Sequence, residues 1–182
     1  MSLIVTATDD CNYITTVASY TSSGATFPLV GNITFFDFQG SSLLSPVNLT
    51  IQSNGASATI ITPIANLSTT NGIIVVKFNI NSTVISTGYV LVHCDIDCCL
   101  TKLTNELIDC ACDCPRCATA LVKAQKIFLL VKSADFALHQ AAVAQSSSAS
   151  KTTGLEAGYL LDASNKYTKA LEICEETCGC DC

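Results

Sequence analysis

The stretch NGIIVVKFNINSTVISTGYVLVHCDIDCCLTKL, residues 71–103, contains the point at which the pattern of the chain changes. Its first part, from Ile74 to Ile80, has apolar residues at every second position, which is typical of a β-strand with one buried face. An Asn-Gly dipeptide precedes this run, and an Asn-Ser dipeptide turns the chain into a return strand that reaches His93. The stretch therefore predicts a β-hairpin that ends directly before a group of cysteines.

Upstream of this hairpin, short alternating segments follow one another with turn residues between them and without a helical stretch. They lie at Leu3 to Ala7, Tyr13 to Tyr20, Ile33 to Phe35, Val47 to Ile51 and Ala58 to Ile61. Strands at intervals of about ten residues are typical of all-β domains. Residues 1–93 are therefore predicted to form roughly six to eight strands in an antiparallel β-sandwich of immunoglobulin-like size.

Downstream of residue 93 the apolar spacing changes to alternating threes and fours, which is typical of amphipathic helices. The pattern predicts a short helix at about 100–108 and long helices at about 117–145 and 155–177, with a serine-rich loop between the long ones. The predicted buried positions of the long helices are Ala120, Ala124, Ile127, Val131, Ala134, Leu138, Ala141, Leu160, Ala163, Tyr167, Ala170 and Cys174. The fold class is thus α+β, with a β-sandwich domain (1–93) followed by a cysteine-rich antiparallel helical hairpin (94–182).

Eleven of the twelve cysteines lie in this second domain. They form three groups, which are Cys94, Cys98 and Cys99; Cys110, Cys112, Cys114 and Cys117; and Cys174, Cys178, Cys180 and Cys182. A short loop favours an antiparallel helix pair, and helices of similar length bring the second and third groups to the same end. The first group can fold back to that end, so all three groups are expected to meet near the junction with the β domain.

Two chemistries fit these cysteines, and the spacing does not decide between them. Cys114 and Cys117 form a tight knuckle that could bind a structural zinc ion together with Cys178 and Cys180. The alternates are Cys98, Cys99, Cys110, Cys112, Cys174 and Cys182. Disulfides fit equally well if the protein works outside the cell. Cys11 and Cys94, near the ends of the first and last strands, are expected to be buried or joined to each other rather than to bind metal.

Charge and motif content exclude several function classes. A net charge of -6 and only nine Lys and Arg residues argue against nucleic-acid binding. The N-terminus has no signal-peptide pattern, and the richest apolar windows are shorter than the ~20 residues of a membrane span, so we expect synthesis in a cytoplasm and no membrane insertion. His93 and His139 are expected at a strand end and on a helix surface, and no catalytic motif accompanies them. The chain is therefore predicted not to be an enzyme.

The order of these features resembles that of a known group of proteins. The segments that carry the resemblance are TATDDCNYITTV (6–17), HCDIDCCLTKL (93–103), CACDCPRC (110–117) and CEETCGCDC (174–182). They resemble small virion proteins of tailed bacteriophages, of the type found in crAss-like and other phages of Bacteroidota. The resemblance implies a non-enzymatic structural component of the particle: a fibre, adaptor, decoration or neck protein that contacts other virion proteins and further copies of itself.

Two functions of other classes remain open at this point. Twelve cysteines would also suit a cellular zinc-binding protein, whose metal would exchange and would exceed one or two sites per chain. A β-sandwich rich in Ser, Thr and Asn would also suit a module that binds glycans on a host surface. Paired carboxylates at a spacing suited to glycoside hydrolysis are not evident in the sequence.

Overall fold

The computed structural model describes residues 2–8, 11–69, 72–109, 115–146 and 153–178. Within them, seven strands precede three helices. The strands are β1 (Ser2–Ala7), β2 (Tyr13–Ser19), β3 (Leu29–Phe36), β4 (Ser42–Ile51), β5 (Ser57–Pro63), β6 (Gly72–Ile80) and β7 (Thr83–Val92), with a 3-10 turn at Ile64–Asn66. The helices are α1 (Cys94–Asp109), α2 (Pro115–Ser146) and α3 (Thr153–Cys178). The predicted α+β class, with sheets first and helices second, is confirmed.

The strands form two antiparallel sheets, with the order β1-β2-β5 in one and β4-β3-β6-β7 in the other. In constant-type immunoglobulin domains the fourth strand lies beside the fifth. Here β4 pairs with β3 instead, through a ladder whose register shifts between Ile33 and Phe36. The buried faces of both sheets contribute to one apolar cluster, so the sheets pack face to face as a sandwich.

The β6–β7 hairpin forms as its sequence predicts. Ile74, Val76 and Phe78 are fully buried between the sheets. Asn81 and Ser82 both have positive φ angles, as a two-residue turn of type I′ requires. Asn71, the first residue of the predicted turn before β6, lies outside the described residues.

The helices pack on the outer face of β6 and β7, at one side of the four-stranded sheet, and make a third layer there. Successive residues of a strand point to opposite faces, so Ile73 points away from the sandwich when Ile74 points into it. Ile73 and Leu91 are buried in a second apolar cluster that otherwise consists of helical residues. The end of the β6–β7 hairpin that carries Ile73 and Leu91 is therefore buried on both faces.

The two long helices pack against each other along the stripes that their periodicity predicts. The buried residues of these stripes are Ala120, Ile127, Val131, Ala134, Leu138, Ala141, Ala163, Tyr167, Ala170 and Cys174, whereas Ala124 and Leu160 are partly buried. Helix α1 begins at Cys94, well before the predicted start at about residue 100. Asp95 and Asp97 lie in its first turn, where carboxylates interact favourably with the helix dipole.

Helix α2 has residues on its solvent side that are as apolar as those in its core. By length and composition, Ala118–Gln145 could cross a membrane, although 39% of its most apolar window is buried inside the protein. Core helices of soluble proteins meet the same criterion. The expectation that the chain does not insert into membranes stays a prediction.

Gly31 gives a test of how closely the four-stranded sheet is packed. A Cβ atom at Gly31 would lie 2.6 Å from both the Asn79 carbonyl oxygen and the Phe78 ring. We expect Gly31→Ala to lower the free energy of unfolding by about 1–3 kcal/mol, because the backbone oxygen cannot move aside cheaply. Urea unfolding of the variant and the wild type measures this difference.

Gly24→Ala is the matched control, because a Cβ atom at Gly24 would have nothing within 4 Å. Its free energy of unfolding should stay within about 0.5 kcal/mol of the wild-type value. Equal effects of the two substitutions would contradict the packing at Gly31.

Candidate functional site

Most of the cysteines predicted to bind zinc lie where the structure does not describe them. Cys110, Cys112, Cys114, Cys180 and Cys182 are outside the described residues. Cys117 lies in the first turn of α2 and Cys178 is the last residue of α3, and the side chains of both are also outside the description. The zinc site at Cys114, Cys117, Cys178 and Cys180 therefore stays a prediction. Among the described residues, no group of three or more His, Cys, Asp or Glu side chains could hold a metal ion.

The helix ends that carry the second and third cysteine groups do lie side by side. The Lys123 ammonium, near the start of α2, donates a hydrogen bond of 3.0 Å to the hydroxyl of Thr177, near the end of α3. Cys99 of the first group lies beside Cys174 of the third, with 3.9 Å between the Cys99 sulfur and the Cys174 carbonyl oxygen. Both are buried thiols. The first and third groups thus meet at Cys99 and Cys174, whereas the position of the second group relative to them stays a prediction.

A disulfide ties the sandwich to the helices. Cys11, which follows β1, is bonded to Cys94, the first residue of α1, with 5.8 Å between their Cα atoms. The sequence left burial and a disulfide open for this pair, and the structure has the disulfide. Cys98, an alternate zinc ligand in the sequence analysis, is also disulfide-bonded. A sulfur in a disulfide is not a thiolate and does not ligate zinc.

A groove with a volume of about 740 Å³ lies between the sandwich and α2. One wall is β1, the floor is β7, and the other wall is the second half of α2, from Lys132 to Val143. Strands β1 and β7 belong to different sheets and approach each other at Gly88, where an added Cβ atom would lie 2.6 Å from Val5. Polar side chains gather where the groove meets the start of α1, namely His93, Asp97, Lys132, Asp135 and His139.

His93 is held by a carboxylate one helical turn away. Its Nδ1 atom lies 2.8 Å from Oδ2 of Asp97, and both side chains are only partly accessible to water. The hydrogen bond to Asp97 raises the pKa of His93, and this effect outweighs burial, which acts in the opposite direction. Across the groove, burial raises the pKa of Asp135, while His93 and Lys132 partly offset that increase.

This cluster resembles the base and orienting carboxylate of a catalytic triad, but its third member is missing from the described residues. A triad also needs a nucleophile in hydrogen-bond contact with the histidine. The hydroxyls that line the groove, such as Thr8 and Ser86, are not among the hydrogen-bond partners of His93 in the described part of the chain. As described, the cluster links α1, α2 and the end of β7 through charge and hydrogen bonding.

The outer face of α2 is, after the groove, the second feature that was not predicted from the sequence. Six large apolar side chains are exposed there, and we call them the α2 ridge: Leu121 (46%), Val122 (61%), Phe128 (51%), Leu129 (66%), Phe136 (64%) and Val143 (49%). Four of them, from Val122 to Val143, recur at every seventh residue, which keeps them on one line along a helix. This seven-residue spacing is present in the sequence and is the signal that could have identified the face.

The Cys11–Cys94 disulfide should contribute strongly to stability. It joins residues that are 83 positions apart in the sequence. Without the cross-link the unfolded chain gains conformational entropy, which in the chain-entropy treatment lowers the free energy of unfolding by up to about 4.5 kcal/mol. We expect the double variant Cys11→Ser, Cys94→Ser to unfold at a clearly lower urea concentration than the wild type in non-reducing buffer. Unchanged midpoints for the two proteins would show that this cross-link is not formed in solution.

The His93–Asp97 pair predicts a dependence of stability on pH. A histidine whose pKa is raised on folding adds stability below its unfolded pKa of about 6.5, and that stability is lost as pH rises through the folded value. The raised pKa of Asp135 changes stability in the same direction, beginning at lower pH. The folded state binds this proton more tightly than the unfolded state does, so stability falls as the pH rises and the proton is lost. We expect the wild type to lose about 0.5–1 kcal/mol between pH 6 and 8 through His93.

The charged groups of the groove around His93 are Asp97, Asp135 and Lys132. His139 also lines the groove, and the described strand residues that line it are uncharged. Urea unfolding at both pH values, for the wild type and for His93→Gln, measures the contribution of His93. The variant should have a flatter pH dependence. An equally steep dependence in the variant would assign the effect to other groups.

Comparison with known proteins adds no identification to this geometry. No protein-family model matches the sequence, and no curated protein is significantly similar to it. The function therefore has to be argued from three features of the molecule: the junction between sandwich and helices, the groove and the α2 ridge.

Proposed function

We propose that the protein is a non-enzymatic structural component of a tailed phage particle, with a role in assembly or attachment as a fibre, adaptor, decoration or neck protein. In this proposal it is made in the host cytoplasm and acts in the virion. Its neighbours are other virion proteins and further copies of itself. The observation that carries the proposal is the way in which the sandwich and the helices are joined.

Three kinds of interaction connect the sandwich to the helices. The first is the Cys11–Cys94 disulfide. The second is the apolar cluster in which Ile73 and Leu91 are buried among helical residues. The third is a hydrogen bond from the Tyr89 hydroxyl, on β7, to the carboxylate of Glu156, on α3. These interactions hold the sandwich and the helices in a fixed relative position, which a component of a particle needs when force acts on it.

The disulfides also favour a place of action outside a reducing compartment. Disulfides persist on secreted proteins and on the surfaces of virions and cells, whereas cytosolic thiols are kept reduced. A protein assembled in a cytoplasm and then released in a particle would acquire its cross-links on release. The disulfides at Cys11, Cys94 and Cys98 fit this history.

The same disulfides weigh against the rival function of a cellular zinc-buffering protein. Metal buffering needs thiolates, and among the described residues Cys11, Cys94 and Cys98 are held in disulfides. The rival requires exchangeable zinc in molar excess over one or two sites. Elemental analysis of the purified chain, combined with thiol counting, distinguishes the two.

Glycan binding is the second candidate function, and the outer face of the three-stranded sheet favours it. The register aligns Ser2 with Ser19 and Ser19 with Ser57 across this sheet, and the hydroxyls of Ser2 and Ser19 lie 2.7 Å apart. Other hydroxyl side chains of β1 and β2 are aligned in the same way, and the described residues of this face are uncharged. Tyr13 is an exposed ring at its end, where a sugar could stack.

The direct test is mass spectrometry of purified particles from cells that express the chain. We expect the protein to co-purify with virions through density-gradient banding and a salt wash, at many copies per particle. Deletion of its gene should give particles that are incomplete or that fail to attach.

Two results would contradict the proposal. One is recovery of the chain only as free protein in the lysate, with particles unaffected by the deletion. The other is exchangeable zinc at high stoichiometry in the free protein. Attachment to a host-surface glycan, lost in virions that carry Tyr13→Ala, would assign the attachment role to the three-stranded sheet.

A further inference from the structure

The groove between β1, β7 and α2 is bordered by two strands that each lie at the edge of a sheet. In the described part of the chain, β1 pairs only with β2, and β7 pairs only with β6. Consecutive residues of both strands line the groove, from Ser2 to Thr6 and from Ser86 to Val92. The face of a strand would contribute only every second residue. The unpaired edges of both strands therefore open into the groove.

The hydrogen bonds of the β1–β2 hairpin determine which backbone groups of β1 lie on its open edge. The Thr8 N–H donates to the Tyr13 carbonyl oxygen over 2.9 Å, so these two residues form a hydrogen-bonded pair. Hydrogen-bonded and non-hydrogen-bonded pairs alternate along an antiparallel ladder. Counted back from Thr8 along the unshifted register, Leu3 and Val5 direct their N–H and C=O groups away from β2. No described strand pairs with these groups.

Strand β1 also lacks the features by which sheet edges usually avoid pairing. Natural edge strands often carry charged residues, prolines or bulges. Strand β4, the opposite edge of the four-stranded sheet, contains Pro46, and its ladder with β3 shifts register between Ile33 and Phe36. Strand β1 has no charged residue, no proline and no register shift. Its residues from Ser2 to Thr6 are all at least partly exposed, so a further strand can reach its edge.

The α2 wall gives the groove an apolar part and a charged part. Leu138 and Val143 line the apolar part, whereas Asp135 lies in the charged part together with His93. The Asp135 carboxylate interacts electrostatically with His93 and Lys132, but no described donor forms a hydrogen bond with it. An ammonium or guanidinium group of a ligand would supply such a donor, in a charge-assisted hydrogen bond. The charged part of the groove therefore favours a basic side chain.

The boundaries of the groove favour a single extended segment over a second folded chain. Unpaired N–H and C=O groups on a strand edge are matched by an extended backbone, which adds to the sheet as a further strand. The groove is closed by β1 on one side and α2 on the other, and its volume of about 740 Å³ is that of a ligand cleft. The described strands of a second copy all belong to sheets, so their edges would bring a whole sandwich against α2.

We propose that the groove binds an extended segment of a partner protein, which adds to β1 as a fourth strand of the three-stranded sheet and places a lysine or arginine side chain at Asp135. This inference deepens the proposed function and rests on it for the nature of the partner, a neighbouring protein of the particle. Its test uses the purified chain and synthetic peptides, so it can fail while particle association holds, and the reverse.

The first measurement uses the full-length, oxidised chain and a positional-scanning library of acetylated, fluorescent heptapeptides. We expect fluorescence anisotropy to select pools with β-branched residues at alternate positions and with lysine or arginine near one end. A selected peptide is then made in two N-methylated forms, each lacking the donors along one of its two edges. One form should bind about tenfold or more weakly, because it cannot donate to β1, and the other should bind like the parent peptide.

Hydrogen exchange measured by NMR locates the bound peptide. The amide protons of Leu3 and Val5 should exchange more slowly in the complex, because they then donate to the peptide. The amide protons of Ile4 and Thr6 point to β2 and serve as the internal control. Their exchange should change little when the peptide binds.

The substitution Asp135→Asn tests the charged part of the groove. It should weaken binding of the selected basic peptide about threefold to tenfold, and it should leave binding of the same peptide with an uncharged residue in place of the basic one unchanged. Asp162→Asn is the matched control, because Asp162 lies on α3, pairs with Lys166 and does not line the groove. It should bind both peptides like the wild type.

Three results would overturn the proposal. They are a library in which no pool binds at about 1 mM, two N-methylated forms that bind equally well, and a basic peptide that binds Asp135→Asn as tightly as the wild type. A second copy is the other occupant that an open strand edge suits. A dimer of the chain alone in sedimentation equilibrium, with the Leu3 and Val5 amides protected without peptide, would replace the partner protein by a second copy.

Discussion

The burial of one end of the β6–β7 hairpin on both faces, at Ile73 and Leu91, is the constraint on which the rest of the structure depends. A strand with one buried face alternates apolar and polar residues, whereas β6 contains the continuous apolar run Ile73 to Val76. Ile74 and Val76 complete the core of the sandwich, and Ile73 joins the core of the helices. Each fully buried aliphatic side chain contributes roughly 1.5–3 kcal/mol. The two cores therefore share one structural element, and neither is complete without it.

The site features follow from how the chain leaves this hairpin. Strand β7 runs directly into α1, so His93 and Asp97 lie within one helical turn of the sheet edge. Helix α2 then crosses β7 and leaves a groove beside β1, and Asp135 and Lys132 complete the charged cluster from the opposite wall. The Cys11–Cys94 disulfide holds the β1 side of the same groove. The groove is thus a consequence of the way in which the sandwich and the helices are joined.

Local patterns are sufficient to predict the elements, whereas contacts between distant elements are not predictable in the same way. Period-two alternation and the turn at Asn81 and Ser82 identify the hairpin, and the three-four spacing identifies the buried stripes of α2 and α3. The pairing of β4 with β3 depends on packing between sheets, which no local pattern encodes. The early start of α1 is not predicted, because the cysteines and aspartates around Asp95 have low helix propensity. The groove cluster combines side chains from α1 and α2, so its members are separated in the sequence.

The small and the large apolar side chains of α2 lie on opposite faces of the helix. The core face of this helix is rich in alanine, including Ala120, Ala134, Ala137 and Ala141, which allows α3 to approach closely. Both of its phenylalanines, Phe128 and Phe136, lie on the opposite, exposed face. The free energy of burial scales with apolar area. Burial of a residue on the outer face would therefore contribute more than burial of an alanine on the core face does. Helix α2 therefore contributes its small side chains to the core of the chain and keeps its largest apolar side chains on the exposed face.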